Sequence, residues 1–161
     1  MKIVVLGNAG SGKSTLSRRL AERGSAERLS LDDVAFDGGI ERRALRDSVD
    51  DVERFLASHA SWVIEGCYAD IVEAILGDCD ELIFLNPGVD ACVAHCRARP
   101  WEPDKFGSRA EQDAHLENLI EWVRAYEERE DEYGLRRHRA LFDAFVGPKH
   151  EFVDPREYEA L

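Results

Sequence analysis

Near the start of the chain, Gly7-Asn8-Ala9-Gly10-Ser11-Gly12-Lys13-Ser14 sets three glycines, a lysine and a hydroxyl in the spacing G-x-x-x-x-G-K-[ST]. Glycines let a backbone turn so tightly that successive amides face one centre, and a helix starting there adds about half a positive charge. Such a turn seats an anion. The lysine adds an ammonium that can follow a terminal phosphoryl group, and the hydroxyl behind it is a hard ligand suited to Mg2+. We therefore expect Gly7 to Thr15 to cradle the phosphates of ATP, with Lys13 across the β- and γ-phosphates, Ser14 on Mg2+ and Thr15 near the α-phosphate. The plainer alternative is a glycine-rich turn with an accidental Lys-Ser; a strand before it and a helix after it favour phosphate binding.

Carboxylates and guanidinium groups recur where strands and helices end. Asp32 closes a short strand and is expected to orient or deprotonate an acceptor hydroxyl, with Asp33 as the alternative and a helix cap as the bland reading of both. Glu65 closes an apolar strand, where a carboxylate would hold Mg2+ through water; a surface glutamate is the competing reading. Arg97 and Arg99 lead into a segment broken by prolines, and Arg109 leaves it, so closure would carry permanent positive charge onto transferring phosphate. Solvated helix-end arginines are the alternative. Arg42, Arg43 and Arg46 could clamp an anionic acceptor but rank below the lid. Cys92, His95 and Cys96 share helical spacing with an apolar stripe, so core packing is preferred to a metal site.

Alternating elements must place these groups. Lys2 to Leu6 reads as a strand buried in a parallel sheet, and Lys13 to about Arg23 as a helix stopped by Gly24. Arg28 to Leu31 is a weaker strand, followed by a helix with Leu45, Val49, Val52 and Leu56 on one face. Trp62-Val63-Ile64 and Leu82 to Leu85 are further strands around a short helix carrying Ile71, Val72, Ile75 and Leu76. Helices follow from Pro87 to about Arg97, through Leu116 to Val123, and around Leu141 to Phe145, before a last strand at His150 to Val153. Five strands alternating with helices predict a three-layer α/β fold around a parallel sheet, whose ligands bind beyond the carboxyl ends of the strands. We expect one domain over residues 1–161, with a lid at about 98–112.

The 161 residues carry 21 Lys plus Arg against 33 Asp plus Glu, a formal charge of -12. That field repels polyanions, so nucleic acid and an anionic membrane are not expected partners. With 44% hydrophobic residues the chain has enough apolar surface for a core. No apolar run approaches a membrane span or a signal peptide core, and the four cysteines show no paired spacing, so a reduced, cytoplasmic protein is expected. Neither a [NT]-K-x-D element nor a long second domain is present, which disfavours a G protein or a large motor.

The phosphate loop, the Leu31-Asp32 strand end, Trp62-Val63-Ile64-Glu65-Gly66-Cys67-Tyr68, Leu82 to Pro87 and the helix with Trp122 and Tyr126 together resemble the adenylate kinase-like P-loop kinases. Within them the chain is most similar to a bacterial branch labelled DNA topology modulation protein. The resemblance covers most of the chain and implies a five-stranded parallel sheet of the nucleoside monophosphate kinase type, a short arginine-bearing lid, and phosphorylation of a small acceptor by ATP. The chain departs from the pattern at Glu65 and Asn86, where Asp is usual, and lacks the Thr-x-x-Arg acceptor element after Asp32. The expected activity is transfer of the γ-phosphoryl group to a hydroxyl or phosphate acceptor by a monomer or homodimer. The rival is an ATP-binding regulator that hydrolyses slowly and has no acceptor.

Overall fold

The computed structural model describes residues 1–161. Five strands, β1 (Lys2–Gly7), β2 (Glu27–Ser30), β3 (Trp62–Gly66), β4 (Glu81–Leu85) and β5 (Lys149–Phe152), form one sheet in the order β2-β3-β1-β4-β5, every neighbouring pair parallel. This is the expected α/β P-loop NTPase fold. β1 is central, with Leu6 beside Gly66 and Gly7 beside Leu85, so the turn after β1 emerges between β3 and β4 at the carboxyl edge. Ser30 of β2 lies in register with Glu65, and the Leu31 amide extends that ladder by donating to the Glu65 carbonyl at 2.9 Å. The second strand thus ends one residue earlier than expected, because Asp32 opens a helix.

Seven helices connect the strands, α1 (Lys13–Gly24), α2 (Asp32–Ala35), α3 (Leu45–Ser58), α4 (Ala69–Ile75), α5 (Val89–Arg97), α6 (Arg109–Arg124) and α7 (Leu135–Ala144), and α8 (Pro155–Glu159) follows β5. Alternation along β1 sends Val4 and Leu6 to one face and Ile3 and Val5 to the other, as successive side chains of a strand must go. The first face packs with Val52 of α3, Ile71, Val72 and Ile75 of α4, and Leu141 of α7; the second packs with Leu16 and Ala21 of α1 and Tyr158 of α8. Cys92, Val93 and Cys96 of α5 meet Ile120 and Val123 of α6 in a third, smaller cluster. The expected glycine stop of α1 is corrected: Gly24 stays helical and Ser25 takes the left-handed turn at φ 48°, while a Cβ at Gly24 would run into the Met1 side chain. α2 and α8 were not foreseen; both are too short to show periodicity. No helix is long and apolar enough to cross a membrane.

Candidate active site

The turn between β1 and α1 is built as its sequence demands. Gly10 and Gly12 take φ of 78° and 98°, the left-handed region that side chains resist. A Cβ at Gly10 would also lie 2.4 Å from the Cys92 carbonyl oxygen and 2.7 Å from Cys96 Sγ, so α5 holds the turn in place. The amides of Lys13, Ser14 and Thr15 have no preceding turn to donate to and open toward the cleft. Lys13 is nearly buried, and its ammonium donates to the Asn8 carbonyl at 2.7 Å. Asn8 and Ser11 lie beneath the loop: Asn8 Nδ2 donates to the Val123 carbonyl at 3.3 Å, and the Ser11 carbonyl accepts from the Tyr158 hydroxyl at 2.8 Å. His95 Nδ1 bonds the Gly10 carbonyl at 2.7 Å, which leaves the Cys92–His95–Cys96 trio pulled apart, the cysteines in the core and the imidazole on the loop.

Beside the loop, the Ser14 hydroxyl donates to Glu65 Oε1 at 3.1 Å. The hydroxyl and carboxylate chosen from sequence as a cation-binding pair are therefore neighbours, although they stand 51 positions apart. Both are oxygen donors of the type Mg2+ takes, and Glu65 is only 3% exposed. Its charge is balanced by Arg28, whose guanidinium bonds Glu65 Oε1 at 2.8 Å and Ser17 Oγ at 2.7 Å. Arg28 escaped the sequence reading because it sits on a strand of four residues with no motif around it.

Asp32 reaches the same cleft from the start of α2, and Asp33 does not. The Tyr68 hydroxyl donates to Asp32 Oδ1 at 2.5 Å and leaves the second carboxylate oxygen free. Burial pushes the Tyr68 phenol far up, so it remains a proton donor to Asp32 at any physiological pH. Behind Tyr68, burial likewise pushes the Cys67 thiol up to about 12, which leaves it protonated and unreactive. The Cys67 carbonyl accepts from His138 Nε2 at 2.8 Å. A carbonyl only accepts, so Nε2 carries the proton, and Nδ1 takes the Tyr126 hydroxyl at 2.7 Å. Burial lowers this histidine to about 4, and the neutral ring pins the segment that follows Glu65.

A family model described as an AAA domain matches residues 3–99, from β1 through α5 and into the segment beyond it. The chain belongs to the AAA domain family. Membership, the five-stranded parallel sheet and the phosphate loop together make it a P-loop nucleotide-binding, kinase-like protein. No curated protein matches the chain.

In this AAA domain protein one cleft of about 970 Å3 collects Ala9, Gly10 and Gly12 to Thr15 with Asp32, Glu65 and Arg99. Gly7, Asn8 and Ser11 support the loop from below. Arg97 is not in the cleft: as the last residue of α5 it bonds Glu117 of α6 at 3.1 Å, whereas Arg99 lies past the helix end, where the chain has turned toward the cleft. Arg109 opens α6 and also stays outside the cleft. The stretch expected as a lid comprises an irregular run, 98–108, and the first turn of α6. Gln112 ties the two together, accepting from the Glu102 amide at 2.7 Å and donating to the Pro100 carbonyl at 3.0 Å. Ser108 caps α6 by accepting from the Glu111 amide at 3.1 Å. Arg18 and Arg99 both line the cleft and neither makes a salt bridge; Arg18, on the exposed side of α1, went unnoticed in the sequence. Arg42, ranked low, faces the cleft with Tyr68 and Tyr133, whereas Arg43 turns away to Asp51 at 2.6 Å.

Proposed function

We propose that the protein is an ATP-dependent small-molecule kinase. The observation that carries this reading is that the phosphate loop and Asp32 open onto a single cleft, so a phosphoryl donor and an acceptor carboxylate share one space. At about 970 Å3 that space is at the upper end for ligand sites, enough for a nucleotide and a second small molecule. Amides at the head of α1, with Lys13, Arg18 and Arg99, would hold the triphosphate and stabilise charge on the transferring group. Ser14 and Glu65 would hold Mg2+, which when bound draws charge off the phosphate oxygens. The free oxygen of Asp32 would accept the proton of the acceptor hydroxyl as that oxygen bonds to the γ-phosphorus and the bond to ADP breaks.

We further propose that residues 98–112 act as a lid on a single domain, closing to exclude water that would otherwise take the phosphoryl group. The net charge of -12 supports a small acceptor over nucleic acid as partner, although the resemblance from Trp62 to Tyr68 supports kinship with the branch labelled DNA topology modulation protein. The test is ADP formation from MgATP with and without candidate acceptors. A kinase accelerates at least about 100-fold with the right acceptor, and Lys13→Ala abolishes that gain while circular dichroism stays unchanged. Slow hydrolysis indifferent to every acceptor would instead mark a nucleotide-operated regulator.

A further inference from the structure

The wall of the cleft that faces Asp32 is aromatic and carries no spare positive charge. Tyr133 packs edge-on to Tyr68 at 5.4 Å and 71°, and to Trp122 at 5.3 Å and 66°; Phe36 continues the row beyond Tyr68 at 6.3 Å and 68°. Phe36, Tyr68, Trp122 and Tyr133 all line the cleft, so the row offers aromatic surface against which another ring can pack. Two cations lie against these rings: Arg129 sits over the Trp122 ring at 4.4 Å, outside the cleft and paired with Asp131 at 3.2 Å, and Arg42, which lines the cleft, has both terminal nitrogens bound and its Nε buried without a partner. Its guanidinium bonds Asp70 at 3.2 Å, Glu132 at 3.0 Å and the Tyr133 hydroxyl at 3.1 Å, and it lies over the Tyr68 ring at 4.9 Å. With Asp32 beside it, Arg42 stands against three carboxylates, Asp32, Asp70 and Glu132.

We propose that the acceptor is a ring-bearing alcohol without an anionic group, neutral or cationic, and that phosphate monoesters are refused. This rests on the kinase reading above and narrows it. A phosphate monoester brings up to two negative charges and needs a guanidinium with open donors. Here it would meet Arg42 only by breaking that residue from Asp70 and Glu132, and would lie close to Asp32 as well. A neutral ring loses nothing of this kind, and an amino group gains from the carboxylates and the ring faces. Trp122, Glu132 and Tyr133 lie beyond the stretch that matches the family, whereas Phe36, Arg42, Tyr68 and Asp70 lie within it, so the wall joins the family's part of the chain to its carboxyl-terminal third.

Nucleosides, cyclitols and amino sugars share the required chemistry, and separate arms of one assay tell them apart. The intact protein is given saturating MgATP with a nucleoside, a cyclitol, an amino sugar or a nucleoside monophosphate, reading ADP release and product mass. We expect one ring-alcohol arm to rise at least about 100-fold above acceptor-free hydrolysis and to yield a phosphate monoester, while nucleoside monophosphates stay within about twofold. Freeing Arg42 with Asp70→Asn and Glu132→Gln together should raise ADP release in the presence of a nucleoside monophosphate about tenfold or more above that of the unaltered protein. Formation of nucleoside diphosphates by the unaltered protein would overturn the proposal and leave the kinase reading standing. Failure of every arm with MgATP bound would remove both. No gain with a nucleoside monophosphate in the double variant, with its fold intact, would also overturn the role given to Arg42.

Discussion

Replacing His138 tests the wiring behind the site in a way that needs no substrate. The ring is buried, donates to the Cys67 carbonyl, accepts from Tyr126, and titrates near 4 instead of its ordinary 6.5. The unfolded chain therefore binds this proton between pH 6.5 and 4 while the native chain does not, so stability falls as pH falls across that window and is fully present above it. At pH 5 the loss amounts to about 2 kcal/mol, and the whole window to about 3 kcal/mol, at 1.36 kcal/mol per pKa unit. Urea unfolding at pH 7 and pH 5 measures this directly. His138→Gln should cost stability at pH 7, because one of two buried partners is lost, yet show a pH 7 to 5 difference smaller by about 2 kcal/mol than the unaltered chain. Carboxylates such as Glu151, held low by Arg139, lose their contribution further into acid and are common to both proteins. Equal pH slopes in the two would refute the assignment of a neutral, doubly bonded imidazole.

The site itself yields further expectations. Glu65→Gln should raise the Mg2+ concentration for half-maximal activity about 10- to 100-fold, measured by metal titration at fixed ATP; an unchanged requirement would take Glu65 out of the metal site. Asp32→Asn should cut kcat about 100-fold or more and leave ATP affinity within about twofold, and a selective loss of ATP binding would reassign the residue to the nucleotide. Arg99→Ala should weaken ATP use about tenfold or more in kcat/KM, whereas Arg97→Ala, which loses only an exposed pair with Glu117, should stay within about twofold; the reverse order would contradict the cleft as described.

What could be read in advance follows from how far apart the interacting residues lie. The phosphate loop is a local device whose glycines, lysine and hydroxyl are contiguous, so its residues announce it. The strands showed because both sheet faces are covered, which makes Ile3 to Leu6 and Leu82 to Leu85 continuous apolar runs. Glu65 could be placed because a strand end in a parallel sheet is a ligand position. Arg42 and Tyr133 meet across 91 positions, and nothing in either neighbourhood signals the other. His138 lies in Arg136-Arg137-His138-Arg139, which reads as a solvated helix face, yet it is buried beneath Cys67. Arg97 and Arg99 look equivalent in sequence; α5 ends between them, and only Arg99, beyond the helix end, lines the cleft. Tyr158 sits in a helix of five residues, short enough to leave no periodic trace, and still holds the Ser11 carbonyl.

The central claim is that the turn after β1 grips a triphosphate through the amides heading α1 and the Lys13 ammonium. Isothermal titration of the folded protein with ATP, in the presence and absence of Mg2+, tests it most directly, with Lys13→Ala beside it. MgATP should bind saturably, and at least about 100-fold more weakly in Lys13→Ala. No heat of binding from any nucleoside triphosphate with Mg2+, or equal affinity in the variant, would contradict it.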